Sequence, residues 1–359
     1  MDTLNKAIKN INFKKLYKQR CTGFQYTPSI LPKVHRIIVL GDIHGDYKLT
    51  LSILQHCNVI EIKDGTITWI GGDTYVVQVG DQIDKCKPRY DSSLCSDPNE
   101  TLHDEGSDGK ILKLFSELQN QATKNGGNVI SLLGNHEILN IIGKMSYVSY
   151  LGLKEFENYT DGKVKFNSGL DARKHAFSSG NEYGLLLGCT RNPSVIIGSN
   201  LFVHAGIMTS FMQELGITDR NDLETINIGL RLWLMGILKK KYIKKIISGS
   251  QSSMFWNRIL GSIPSGVTLN DPRCLNNIDS VMKILNINNM IIGHTPQPFV
   301  SSNGINGTCD NHVWRVDTGS SSTFDQFDTK YMTTKLKDEK RNPQYLEIID
   351  DTKFTIHVL

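Results

Sequence analysis

The chain has 359 residues, 39% of them apolar and 21% charged, a balance ordinary for a soluble globular protein of one large α/β domain or two smaller ones. A formal net charge of +4, without a concentrated basic stripe, gives no ground for a nucleic-acid partner. No apolar run approaches the ~20 residues needed to cross a bilayer, and the start of the chain lacks the continuous apolar core and cleavage site of a secretory signal, so a cytoplasmic location is expected.

Residues 1–33 read as a basic helical extension. Met1 to Arg20 alternates Lys with Ile, Leu and Phe, which suits an amphipathic helix on a membrane or partner surface, or a solvated helix packed on the domain edge. Beyond it, short Val- and Ile-rich runs bounded by Gly or Asp read as buried strands. Val34–Leu40 leads into Gly41-Asp42-Ile43-His44-Gly45-Asp46, and Leu49–His56 has a helical pattern. Thr74–Val79 leads into Gly80-Asp81-Gln82-Ile83-Asp84. Residues 85–108 lack a period and carry Asp91, Asp97, Glu100, Asp104, Glu105 and Asp108. They read as an acidic surface insert that borders the preceding motif, either a solvated loop without a specific role or one that disfavours acidic substrates and favours basic peptides.

Gly109–Lys124 is helical, and Asn128–Leu133 is a strand that ends at Gly134-Asn135-His136-Glu137. Leu201–Val203 precedes His204-Ala205-Gly206, and Thr225–Ile247 reads as one or two helices with a basic outer face. Ser262–Asn276 is expected to be loop. Asn289–Ile292 precedes Gly293-His294-Thr295-Pro296, Val313–Val316 precedes Asp317-Thr318-Gly319, and Tyr345–Leu359 alternates as one or two closing strands. The cysteines are Cys21, Cys57, Cys86, Cys95, Cys189, Cys274 and Cys309. Their odd number and the lack of a CxxC pair argue for reduced thiols and against a zinc ribbon, with Cys86 and Cys95 near enough in sequence to bridge.

Open α/β sheets place ligands beyond the carboxyl ends of their strands. Asp42, His44, Asp81, Asn135, His204 and His294 all stand at that address. Carboxylate, imidazole and amide oxygens together suit Mn, Fe or Zn. A carboxylate such as Asp81 has two oxygens and can bridge two ions, which would clamp a phosphate between them. Singly, each residue reads as a capping Asp, a turn Asn or a satisfied His. Together they point to a binuclear centre.

The ordered set GDIHGD, GDQID, GNHE, HAG and GHTP resembles the calcineurin-like metallophosphoesterase superfamily, in its phosphoprotein phosphatase branch. The run Asn135 to Asn140 with Gly143 and Tyr147-Val148, and Phe255-Trp256-Asn257-Arg258, are similar to the Shewanella-like, bacterial-type subgroup. The resemblance covers about Val34 to Ser320 and implies a four-layer α/β sandwich of two mixed sheets flanked by helices, over a catalytic domain at 34–359. It implies two divalent ions, Mn, Fe or Zn, with Mn favoured in vitro. One is held by Asp42, His44 and Asp81, the other by Asp81, Asn135, His204 and His294.

The resemblance also implies that His136 gives a proton to the departing alkoxide and that Asp84 orients it, a service worth ~10²–10⁴-fold. Arg258 matches a phosphate-positioning arginine, with Asn135 beside it. Lys85 stands where the family has a second arginine, keeping the charge without the fork; either phosphate binding is weaker there, or Cys86 and Lys87 take part. Arg191 is a weaker phosphate candidate that reads first as structural, and Asp317 closes the pocket either as a turn residue or in contact with substrate.

The substrate expected is a phosphorylated protein or peptide, phosphoserine or phosphothreonine first and phosphotyrosine next. The alternatives are a small-molecule phosphoesterase, such as a dinucleoside polyphosphate hydrolase, and an inactive scaffold that binds phosphorylated partners.

Overall fold

The computed structural model describes residues 1–88, 94–162, 164–300, 304–325 and 341–359. Asp91 of the acidic run lies outside them. The covering helices are α1 (Asp2–Ile8), α2 (Phe13–Arg20), α3 (Tyr47–His56), α4 (Asp108–Thr123), α5 (Asn135–Ile141), α6 (Gly169–Phe177), α7 (Asp222–Leu234) and α8 (Pro272–Leu285).

Two six-stranded mixed sheets form the centre. In the first, β1 (Arg36–Leu40), β2 (Tyr75–Gln78) and β3 (Asn128–Leu132) run parallel, with Leu40 opposite Gln78 and Gln78 opposite Ser131. The tail strands Gln344–Ile349 and Lys353–Val358 extend it antiparallel beyond β1, and Arg191–Asn192 closes the other edge. In the second sheet, β4 (Asn200–Val203), β5 (Asn289–Ile292) and β6 (Val313–Arg315) run parallel between antiparallel neighbours.

Successive strand residues face opposite ways, and this alternation builds the layers. Ile37, Val39, Val77 and Ile130 of the first sheet pack against Phe202, Ile291 and Val316 of the second. Ile38, Leu40, Val76 and Val129 face outward under Ile53, Leu54, Ile111, Phe115 and Leu118 of α3 and α4. Leu201, Val203, Met290 and Ile292 face outward under α7 and α8. The result is helix, sheet, sheet, helix, as the fold class expected.

Residues of the chain start pack by one face. Leu4, Phe13 and Tyr17 join the core beneath the second sheet's helices, and the Tyr17 hydroxyl donates to the Cys189 carbonyl at 2.7 Å. The Arg231 guanidinium of α7 lies over the Tyr17 and Tyr26 rings at 5.0 and 5.1 Å. The lysines of α1 and α2 face outward. No described helix is long and apolar enough to cross a membrane.

Three expectations are corrected. Thr225–Ile247 is helical only from Asp222 to Leu234, followed by a single 3-10 turn at Lys240–Tyr242. Gly236, at φ 76°, turns the chain against Gly180, where a Cβ would collide. The loop expected over Ser262–Asn276 gives way to α8 at Pro272. Asp271 caps it by accepting from Arg273 N, and proline fits the first turn.

The third correction concerns the thiols. Cys21–Cys189, Cys86–Cys95 and Cys274–Cys309 are disulfides, leaving Cys57 free and buried. Two of the pairs are 168 and 35 residues apart in sequence. No close-spaced framework announces them, because only folding brings their Cα atoms within disulfide reach. With them goes the thiol argument for a reducing compartment.

Candidate active site

Each parallel strand delivers its polar residues to the same edge. Asp42 and His44 follow β1, Asp81 and Asp84 follow β2, and Asn135 and His136 open α5 after β3. His204, His294 and Asp317 follow β4, β5 and β6. All nine are buried. The loops that carry them are knitted by backbone bonds. Ile43 and His44 N–H donate to the Asp81 carbonyl, and Gly45 N–H donates to the Gln82 carbonyl. The Glu137 carboxylate accepts from the N–H groups of Asp81, Gln82 and Gly134. Burial and the nearby Asp81 charge push Glu137 up to about 7, against the pull of those N–H groups.

The backbone here is strained. His44, Asp81, Asp84 and His294 have φ of 47°, 54°, 71° and 66°, in the left-handed region that costs about 1–3 kcal/mol per non-glycine residue. Such residues persist only where their surroundings over-determine them, as the interloop bonds do. Gly134 is the counterpart. A Cβ there would collide with the backbone N and carboxylate of Asp81, so only glycine lets these two loops touch.

Asp81 is the hub. Its Oδ1 accepts from His136 N–H at 2.9 Å. Its Oδ2 faces His204 Nε2 at 3.4 Å, and His44 and His136 Nε2 at 3.8 Å each. His44 Nε2 is also 3.9 Å from Asp42 Oδ2, and His204 Nε2 is 2.9 Å from Asn135 Oδ1. Two groups able to hold a cation therefore share Asp81: His44, Asp81 and His136, and Asp81, His204 and His294.

The surroundings orient these donors. His204 Nδ1 lies 2.9 Å from the Val79 carbonyl and His44 Nδ1 lies 3.3 Å from the Ile83 carbonyl. Donation there leaves each Nε2 lone pair facing the hub. Burial first, then the Lys87 charge, holds His44 well below the usual imidazole range. Burial, then the Arg258 charge, does the same to His294. Neutral imidazole is the form that binds metal.

The fit to a cation is testable in the chain itself. Asp42 is pushed up by burial, then by Asp317 and Asp81, and burial takes Asp317 up to about 6. His294 Nε2 and Asp317 Oδ2 are buried without a hydrogen-bond partner. Crowded carboxylates and an orphaned imidazole nitrogen are what divalent ions satisfy, and the mixed O/N donor set suits Mn, Fe or Zn.

Beside the hub, His136 Nδ1 lies 2.8 Å from Asp84 Oδ2. Asp84 is itself held. Asn140 donates to its Oδ1 at 2.9 Å and Arg173 at 3.3 Å, while its own N–H donates to Asp108. Arg173 is fully buried. It also donates to Asp108 at 2.7 Å, Asn140 at 2.9 Å and the Gly152 carbonyl at 3.0 Å. The acidic insert is thus partly spent on structure. Asp108 serves Asp84 and Arg173, Glu105 accepts from Tyr47 N–H, and Asp104 accepts from Ser149 and Leu151.

The hub opens into a cavity of about 560 Å³, lined by His44, Asp81, Asn135, His136 and His294 on one side. Lys87, Arg258, Pro296 and the rings of Tyr147, Trp256, Phe299 and Phe324 form the rest. Arg258 anchors one nitrogen on the His294 carbonyl at 2.8 Å. Lys85 is turned away from this cavity. Its ammonium is 3.0 Å from Asp46 Oδ2, and Thr323 donates to its carbonyl. Arg191 is buried on Gln82, Ser116, Thr190 and the Leu112 carbonyl, a structural post. Sequence reasoning missed Arg173, Phe299 and Phe324. None stands in a motif, and only a basic residue inside an otherwise apolar helix face hinted at the first.

Residues 35–298 match the sequence model of the calcineurin-like phosphoesterases. The chain is 34% identical over 254 residues to an uncharacterised protein of Acanthamoeba polyphaga mimivirus, covering 67% of this chain and 96% of that one. It is 28% identical to Shewanella-like protein phosphatase 2 of Arabidopsis thaliana over 80% of this chain and 72% of the relative. In fold it resembles the cold-active protein-tyrosine phosphatase of a psychrophilic Shewanella species. That match has a TM-score of 0.61 at 20% identity, over 93% of this chain and 83% of the other.

Proposed function

This chain belongs to the calcineurin-like phosphoesterase family, and on that premise we propose that it is a binuclear-metal phosphatase that hydrolyses phosphomonoesters on proteins. The observation that carries the reading is the Asp81 carboxylate, one oxygen of which faces three imidazole nitrogens. Asp42, His44 and Asp81 would hold one ion, and Asp81, Asn135, His204 and His294 the other. When bound, the ions supply Lewis acidity toward the phosphoryl oxygens and acidify the attacking water.

The chain's own groups do the rest. Asp84 engages His136 Nδ1 at 2.8 Å, which turns Nε2 toward the cavity as the proton donor to the leaving oxygen. An alkoxide leaves poorly without that proton, and a placed acid is worth ~10²–10⁴-fold. Arg258 presents its guanidinium to the phosphoryl oxygens in the fork geometry that suits them. The buried Asp84–Arg173–Asp108 network holds the acid in place.

The aromatic walls support phosphotyrosine as a substrate beside phosphoserine and phosphothreonine. Tyr147, Trp256, Phe299 and Phe324 surround the cavity with faces and edges on which a phenyl ring packs well. The test is a substrate panel with the full chain reconstituted separately with Mn, Fe and Zn. It includes p-nitrophenyl phosphate, phosphoserine, phosphothreonine and phosphotyrosine peptides, and dinucleoside polyphosphates. Metal-dependent turnover of p-nitrophenyl phosphate and of phosphopeptides is expected. Turnover of dinucleoside polyphosphates alone would overturn the protein-phosphatase reading, and no turnover with any metal would leave the scaffold.

A further inference from the structure

On the phosphatase reading, either Lys85 or Lys87 is the second cation that joins Arg258 in the cavity. Lys85 and Lys87 flank Cys86, yet they go to different places. Lys85 is 2% exposed and committed to Asp46. The Asp46 carboxylate is further fixed by the N–H and hydroxyl of Ser322, at 2.9 and 2.7 Å. Freeing Lys85 for a ligand would strand a buried carboxylate.

Lys87 has no such commitment. It lines the cavity, and no carboxylate among the described residues lies within ion-pair distance of it. Its ammonium is 3.0 Å from His136 Nε2, 5.4 Å from the Tyr147 ring centroid and 5.6 Å from that of Phe324. The stem is held from behind. Cys86 N–H donates to the Tyr147 carbonyl at 3.2 Å, and Cys86 is bonded to Cys95, with both sulfurs buried. The backbone from which Lys87 extends is therefore anchored beside the ring over which its ammonium lies.

The electrostatics have the same sense. Burial draws the Lys87 ammonium down, Asp81 and Asp42 draw it back up, and the Arg258 charge adds to the lowering. Two cations close enough to disturb each other, both lining one cavity, are relieved by an anion between them. A tetrahedral dianion presents oxygens to both. A phosphoryl oxygen held by Lys87 would compete with His136 Nε2, 3.0 Å away, for the ammonium's protons.

We infer that Lys87, and not Lys85, is the cation that grips the phosphoryl group together with Arg258. A charge-assisted hydrogen bond of this kind corresponds to roughly ten- to a hundredfold in affinity.

The experiment compares wild type, Lys87→Met, Lys87→Gln and Lys87→Arg as full chains with matched metal content. It reads KM and kcat on p-nitrophenyl phosphate, inhibition by inorganic phosphate, and phosphate binding by calorimetry. Both neutral variants are expected to raise KM and the phosphate inhibition constant about tenfold or more, with Lys87→Arg recovering most of the loss. Thermal melting checks that each variant is folded, and Lys87→Gln carries the test if Lys87→Met is not. Unchanged KM and phosphate affinity in a folded neutral variant would overturn the assignment. A wild type that turns over no phosphoester would instead sink the phosphatase reading, while calorimetry on the same proteins would still decide whether Lys87 binds phosphate.

Discussion

The two sides of the cavity are built on different terms. The floor consists of imidazoles and carboxylates at strand ends, all buried, with positions set by sheet register and by backbone bonds between loops. The wall consists of Lys87, Tyr147, Trp256, Arg258, Pro296 and Phe299, all at least partly exposed, together with the buried Phe324. They come from loops and from the 3-10 turns Gln297–Phe299 and Ser322–Phe324. The floor has strained backbone and unsatisfied polar atoms, whereas the wall has rings and cations. A rigid floor fixes where charge is stabilised, and a yielding wall chooses what is held there. Floor changes should therefore act on turnover and wall changes on substrate affinity.

The largest test of that division is Asp81→Asn. It removes the charge shared by both donor groups, so bound metal should fall and turnover should drop by at least roughly 10²–10³-fold, the scale of losing a group that stabilises transition-state charge. Full metal content with normal turnover would dissolve the distinction between floor and wall.

Next is Arg173→Met, behind the floor. It leaves Asp84 and Asp108 buried without their cation, which should cost about 3–5 kcal/mol of stability by denaturant unfolding. Turnover should fall more for a phosphoserine peptide than for p-nitrophenyl phosphate, because only the poorer leaving group depends strongly on His136. Lys at this position should recover part of the loss. An equal fall on both substrates would place Arg173 in the scaffold alone.

The smallest expected effect is at the wall. Phe324 stands edge-on to His44 at 5.6 Å and beside Phe299 at 5.8 Å. Phe324→Ala should raise KM for a phosphotyrosine peptide by roughly three- to tenfold, the worth of one aromatic contact, with kcat little changed. A fall in kcat with unchanged KM would move this ring into the floor.

These regions also differ in how far the sequence announced them. Asp42, His44, Asp81, Asn135, His204 and His294 could be named in advance, because each follows an apolar run beside a glycine and a parallel sheet delivers strand ends to one edge. The Asp84–His136 pairing came only with the resemblance, and the 2.8 Å approach is its geometric counterpart. Arg173 was silent because its partners Asp84 and Asp108 lie 89 and 65 residues away. Lys85 and Lys87 are equal as letters. Asp46 and Ser322, on loops distant in sequence, decide that the first is spent and the second is available.

Cys86–Cys95 could be named as a possible bridge, but Cys21–Cys189 and Cys274–Cys309 were missed for a related reason. Cysteine spacing informs only when a framework is local, and Cys21 meets Cys189 across the molecule. The end of α7 and the start of α8 fall between these cases. Asp271-Pro272 is a legible cap in retrospect, whereas Gly236 stops a helix by meeting Gly180, a contact no local pattern reports.

By itself, then, the chain's pattern determined the buried strands and the six polar residues at their ends, since apolar runs closed by Gly, Asp or His are local properties; the layered sandwich and the Asp84–His136 pair came through the resemblance that the motifs carry. Tertiary structure alone decided which lysine faces the cavity, which arginine braces the acid, which rings form the wall and which thiols pair. Those outcomes depend on distances between segments far apart along the chain, which exist only once the two sheets have packed.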